Sequence, residues 1–160
     1  MVKTMKNKKY MKNTRRKNLS SSSKKLSNPN KTNKFEKEIT VKFLEILMMV
    51  KLFHWKTMSY ASHKASDELY DSLNDNIDKF IEVLLGKVGN RIDLMGQKTI
   101  SLIDLSSQDK LREKINSFKG YLVSLDNNDA IKQMSNSDLL NIRDEILGNL
   151  NQFLYLLTFK

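Results

Sequence analysis

From Phe35 onward apolar residues recur every three or four positions, in four runs separated by turn-forming residues, and this period predicts helices and no sheet. The first run, about residues 35–58, carries two stripes. Ile39, Phe43, Ile46, Val50 and Phe53 form one; Val41, Leu44, Met48, Leu52 and Trp55 form the other, leaving a narrow polar strip at Glu38, Lys42, Glu45 and Lys56. The second run, about 62–85, places Leu69, Leu73, Ile77, Phe80 and Leu84 on one face, with Ser59 or Ser62 as the expected cap and Gly86 as the expected end. The third opens at Ser106 with Asp109 in the capping-box position and carries Leu111, Ile115, Phe118, Leu122 and Leu125. The fourth opens near 135–137 and carries Ile142, Ile146, Leu150, Phe153 and Leu157.

Four helices of about 20 residues each span about 30 Å, which predicts an all-α four-helix bundle over residues 35–160. The connection over 87–105 reaches roughly 60 Å when extended, so it permits the long crossover of a ferritin-like bundle, which a short-loop bundle does not need. One stripe of the first helix faces the core; the second requires another surface, and a second copy of the chain is the simplest source.

Composition changes the picture at the N-terminus. Residues 1–34 hold twelve basic and no acidic residues: Lys3, Lys6, Lys8, Lys9, Lys12, Arg15, Arg16, Lys17, Lys24, Lys25, Lys31 and Lys34. The remainder holds 16 basic against 18 acidic residues, so a strongly cationic arm precedes a weakly acidic body. The arm also carries four consecutive serines, the only proline and few large apolar residues, a composition that predicts disorder. Such an arm suits the phosphate backbone of a nucleic acid, and its single aromatic residue, Tyr10, argues against base stacking. A solubilising tail, a nuclear address built on Thr14–Lys17, and an arm laid on an acidic protein remain open alternatives. There is no cysteine, hence no disulfide or thiolate metal site. No apolar run reaches the length of a membrane span, and no apolar core of a signal peptide is present, so no membrane partner is expected.

The candidate chemistry lies on the second helix. Taking His63 as the origin, Asp67, Asp78 and Glu82 project at about 40°, 60° and 100°, on one side of the helix, while His54, the only other histidine, lies just upstream beside Trp55. Imidazoles with carboxylates form a ligand set for a hard or borderline divalent metal; oxygen and nitrogen donors suit iron, manganese or zinc without choosing among them. Asp71 and Asp75 extend the acidic run, and four like-charge gaps cost roughly 1–2 kcal/mol if no cation answers them. The plain alternative is a solvated acidic face, with Lys64 pairing Glu68 and Lys79 pairing Asp75 or Glu82. Against it, Ile81 and Leu85 project into the same sector, which suits a seam against another surface. For His54, on the inner stripe, the alternative is a core histidine with a satisfied ring.

The segment from His54 to Glu82 resembles the ferroxidase region of the Dps family of DNA-binding miniferritins. In that family a His-Trp pair ends the first helix, a histidine followed four residues later by an aspartate opens the next, and an Asp-x-x-x-Glu pair begins fifteen residues past that histidine. His54-Trp55, His63, Asp67, Asp78 and Glu82 match these positions, with a shorter interval between the two histidines than the family has. The stretch HWKTMSYASHKASDELYDSL also resembles uncharacterised ferritin-like proteins of large DNA viruses and some phages.

The Dps resemblance implies oxidation of Fe(II) by peroxide or oxygen at a site shared between subunits, with His54, His63 and Asp67 from one chain and Asp78 and Glu82 from its neighbour. It further implies a homo-oligomer, at least a dimer and in full a shell, located in the cytoplasm or on the nucleoid. The viral resemblance implies a virion location and leads to the alternative of a non-enzymatic structural protein whose arm anchors to genome or capsid. The internal di-iron site of ordinary ferritins is not expected, because the chain has no Glu-x-x-His motif; the third and fourth helices offer Glu113, Asp144 and Glu145 without a histidine.

Overall fold

The structure is a computed structural model that describes residues 29–105 and 107–159. Every regular element among them is helical: α1 (Pro29–Lys56), α2 (Tyr60–Val88), α3 (Gln108–Ser124), a 3-10 turn (Leu125–Asn127), the short α4 (Asp129–Lys132) and α5 (Ser137–Leu156). The four long helices are those expected from the apolar period, and every residue of the expected inner stripes is buried. Phe43 lies at the centre, its ring edge-on to Phe80 of α2 at 5.3 Å and to Phe118 of α3 at 6.2 Å.

Three boundaries differ from the sequence expectation. α1 begins at Pro29 instead of Phe35, with proline at the first helical position, where its missing N–H is no loss. The extra turns are held because Thr32 and Phe35 are buried and because Lys31 Nζ pairs with Asp129 of α4 at 2.8 Å. Lys31 and Lys34, expected in a disordered arm, are therefore exposed residues of a helix; the other ten arm cations lie outside the described residues. α2 runs through Gly86 and stops at Gly89, whose φ of 73° is the left-handed conformation that ends helices. α3 is capped by Ser107, whose hydroxyl accepts from the Lys110 N–H, so Asp109 sits one position short of a capping box; Ser106 lies outside the described residues.

The chain directions follow from local pairings. A three-residue link turns α1 back into α2. α5 runs antiparallel to α2, since Lys79 pairs with Glu145 at 3.6 Å and Lys87 with Asp138 at 2.8 Å. It is antiparallel to α3 as well: Gln108 donates to the Leu157 carbonyl, and the buried Arg143 donates to the Leu122 carbonyl while pairing with Asp126 at 3.0 Å and Asp144 at 2.7 Å. Consequently α2 and α3 point the same way, and residues 90–107 must travel the length of the bundle. They do so along α1, from Asp93 beside Lys37 at 3.6 Å to Asp104 beside Lys56 at 2.5 Å. The order is up, down, down, up with one long crossover.

Val41, Leu44 and Leu52 of the outer α1 stripe stay half-buried outside the core, and Met48 and Trp55 are exposed, Trp55 by 68%. No helix among the described residues is long and apolar enough to cross a membrane.

Candidate metal centre

The tight link between α1 and α2 brings the last turn of one against the first turn of the other. Ser59 fixes the start of α2 by accepting the Ser62 N–H, and His63 falls on the first turn, facing His54. The two imidazoles stack at 3.9 Å between centroids with 23° between their planes. Each Nδ1–H donates to the backbone carbonyl of the other histidine at 3.1 Å, since a carbonyl oxygen can only accept. The Ser66 hydroxyl, fully buried, donates to the His63 carbonyl at 3.0 Å and lies 3.4 Å from His54 Nδ1.

This arrangement fixes the tautomer. With Nδ1 protonated, the neutral rings present unprotonated Nε2 atoms, and a backbone carbonyl behind the ring is the usual partner of a metal-binding imidazole. His54 Nε2 lies 3.6 Å from Asp67 Oδ1, two acceptors facing each other across a gap that suits a proton or a cation. Lys51 partly answers the same carboxylate at 3.9 Å, its ammonium also lying 4.5 Å from the centre of the Tyr70 ring. His54 is 8% exposed, His63 and Asp67 are half-buried.

Of the five expected ligands, the structure sets His54 against the His63 ring and, on its other nitrogen, 3.6 Å from Asp67, and leaves Asp78 and Glu82 apart. Eleven residues of helix separate Asp67 from Asp78, about 16 Å. Asp78 and Glu82 are exposed, and Glu82 edges a shallow depression with Leu85, Gly86, Gly89, Asn90 and Arg91. Among the described residues no three His, Asp or Glu side chains of one chain form a metal-binding group. Lys79 reaches across to α5 instead of pairing with Asp75 or Glu82, and no ion pair forms between Lys64 and Glu68, so Asp71, Asp75, Asp78 and Glu82 have no cation within 4 Å among the described residues. Asp71 and Glu68 line a groove of about 370 Å³ against Asn149 and Gln152 of α5.

Ser66 and Lys51 were missed by the sequence reading. Ser66 had a signal: it lies one helical turn beyond His63, on the inward side of α2, where a serine needs a partner. Lys51 had none, because its contact depends on how α1 and α2 cross.

No curated protein and no solved structure matches the chain. The family comparison gives a different result: residues 54–157 match a family of unknown function, DUF5856, over a span that begins at His54 and takes in α2, the crossover, α3 and α5. The chain belongs to the DUF5856 family.

Proposed function

We propose that the chain is a ferritin-like protein of Dps type that pairs with a second copy to bind and oxidise Fe(II), and that its basic arm holds a nucleic acid in a nucleoid or virion. The up, down, down, up order with its long crossover supports the ferritin-like part of this reading.

One observation carries the iron part. The residue numbers of His63 and Glu82, and those of Asp67 and Asp78, sum to the same value, 145. If α2 meets the α2 of a second chain antiparallel, about a two-fold axis passing between Ser72 and Leu73, His63 lies opposite Glu82 of the partner subunit and Asp67 opposite Asp78 of the partner subunit. Both pairs come into register together, and two-fold symmetry repeats the site. Half-buried Ile81 and Leu85 would be covered by the same contact.

In this reading Fe(II) is the substrate. The Nε2 atoms of His54 and His63 and the carboxylate of Asp67 offer nitrogen and oxygen donors, and Asp78 and Glu82 of the partner subunit add the negative charge that favours the ferric product. Two Fe(II) ions each give up one electron to a peroxide, which takes up two protons and leaves as two waters. Lys51, beside Asp67, moderates the negative charge of the site.

The test is oxidation of Fe(II) by peroxide in wild type, His63→Ala and Asp78→Ala, followed by the two variants refolded together. Each variant alone should be slow. A mixed dimer regains one intact site of two, so the mixture should recover about one quarter of the wild-type rate. Equal rates in wild type and both single variants would remove the iron reading.

A second reading rests on the imidazole pair. Each ring is already satisfied by the other's backbone, and the interval between the histidines is short, which suits a structural clasp in a non-enzymatic scaffold anchored by its arm. Iron, manganese and zinc content of protein purified without chelator separates the two: stoichiometric metal supports the first, metal-free protein the second.

A further inference from the structure

The pole where α1 ends and α2 and α3 begin holds a cavity of about 230 Å³ that neither the histidine clasp nor the acidic face of α2 uses. Two helix starts open onto it. Ser59 and Ser62 line it from the start of α2, Ser107 and Gln108 from the start of α3, and Phe53 and Leu105 give it apolar walls. The first N–H groups of a helix have no intrahelical partner, and both helices turn the positive ends of their dipoles to this space.

The hydroxyls around the cavity have donors to spare. Thr57 Oγ1 accepts the Ser59 N–H, Ser59 Oγ accepts the Ser62 N–H and Ser107 Oγ accepts the Lys110 N–H, each at 3.3 Å. An oxygen that accepts from the backbone still has its own O–H to donate. Ser62 is the decisive residue: it is 6% exposed, and its hydroxyl has no hydrogen-bond partner among the described residues. A buried hydroxyl without a partner costs stability unless something in the cavity meets it. Lys56 adds a positive charge at the rim, where it pairs with Asp104. Neither Asp104 nor Asp109 of the first turn of α3 lines the cavity, so its wall contains no carboxylate among the described residues.

Hydroxyl donors, two helix starts and an ammonium around a wall free of carboxylates are the converse of a metal site. They match a tetrahedral oxyanion. At about 30 Å³ per water the cavity holds roughly seven waters, room for such an ion and part of its shell. We propose that this cavity binds a phosphate group at the junction of α1, α2 and α3, with the Ser62 hydroxyl and Lys56 as its principal donors. Pro29, where the cationic arm joins α1, lies at the opposite pole, so within one chain this site is separate from the arm's attachment. Free phosphate and the diester of a nucleic acid share this chemistry, and two probes tell them apart.

Calorimetric titration of the full-length chain with inorganic phosphate, and separately with dimethyl phosphate, in about 150 mM chloride reads the site. The arm is the same in every variant, so differences between variants belong to the cavity. Ser62→Ala and Lys56→Ala should each weaken the bound probe about tenfold, the size of one charge-assisted hydrogen bond. Asp104→Asn, which releases Lys56, should tighten it at least about threefold, a gain that a damaged fold does not produce. This pattern with inorganic phosphate assigns the cavity to the free ion; the pattern with dimethyl phosphate alone assigns it to a nucleic-acid backbone. Equal affinities in wild type and all three variants for both probes, or Ser62→Ala binding as wild type does, overturn the proposal. No iron enters the measurement, so its outcome is independent of the oxidation test.

Discussion

His54 and His63 stand ring over ring, each donating its Nδ1–H to the backbone of the other, so the end of α1 and the start of α2 are tied by two reciprocal hydrogen bonds. The His54 carbonyl lies in the last turn of α1, where carbonyls lack an intrahelical partner, and the His63 ring supplies one. The clasp therefore does structural work whether or not the Nε2 atoms meet a cation.

It follows that His63→Ala should cost about 1–2 kcal/mol of stability, and His54→Ala, which also empties a buried site, about 2–3 kcal/mol. The two losses should not fully add: each substitution removes one hydrogen bond, because the backbone carbonyl of the replaced histidine remains, but either one removes the ring stack, so the double variant should fall short of the sum by about 1 kcal/mol. Urea denaturation of the four proteins measures the coupling.

Glu36 gives the fold an unusual pH dependence. Its side chain is buried, one carboxylate oxygen lacks a hydrogen-bond partner, and the Thr40 hydroxyl one turn away is likewise unpartnered. Burial raises its pKa above the ordinary glutamate value, with Lys37 opposing. The folded chain thus holds the Glu36 proton more tightly than the unfolded chain. That contribution is fully present below the ordinary value and is lost as pH rises through the raised one. Glu36→Gln should leave stability at pH 4 nearly unchanged and raise it at pH 8 by about 1–2 kcal/mol, as followed by thermal melts across that range. A variant that melts with the wild-type pH profile would sink this account.

Two glycines near the end of α2 should respond in opposite directions. Gly86 lies inside the helix with open space where a Cβ would stand, so Gly86→Ala should stabilise by about 0.5–1 kcal/mol. Gly89 has a φ of 73°, where an alanine is strained, and Gly89→Ala should destabilise by about 1 kcal/mol. Chemical denaturation of both variants separates the true end of the helix from the glycine that only resembles one.

Arg143 is buried with its guanidinium on the Leu122 carbonyl, Asp126 and Asp144. Arg143→Met removes the ion pairs and leaves the end of α3 without a donor, at a cost of about 2 kcal/mol, whereas Asp126→Asn, at a half-exposed carboxylate, should cost under about 1 kcal/mol. Differential scanning calorimetry should rank them in that order.

If the arm binds duplex DNA through six of its cations, affinity should fall by about three orders of magnitude between 50 and 200 mM salt. Removal of residues 1–28 should abolish binding while leaving the melting temperature of the helical body within a few degrees. Fluorescence anisotropy against salt measures the first, circular dichroism the second. A shallow slope, or a truncated chain that binds as well as the full one, contradicts the nucleic-acid role.

The helices were legible because each buries one face, and a face repeats: Leu69 to Leu84 or Ile142 to Leu157 announce themselves by spacing alone. The start of α1 was hidden because its first turns bury Thr32 and Glu36, polar residues that carry no apolar period. The end of α2 was misplaced because Gly86 and Gly89 are both glycines, and only a dihedral angle tells them apart. At the site, spacing along α2 placed the acids on one side of a helix, but it could not show that the histidines would spend their Nδ1 protons on each other. That depends on the crossing of two helices, as does the reach of Lys79 to Glu145 in place of a neighbour on its own helix.

The same chain directions give the molecule two poles. α1 runs from Lys31 at one to His54 at the other, about 35 Å away. In an antiparallel pair of α2 helices the first pole of one subunit would lie beside the second pole of the other, so an arm leaving one chain at Pro29 would start next to the stacked histidines of its partner.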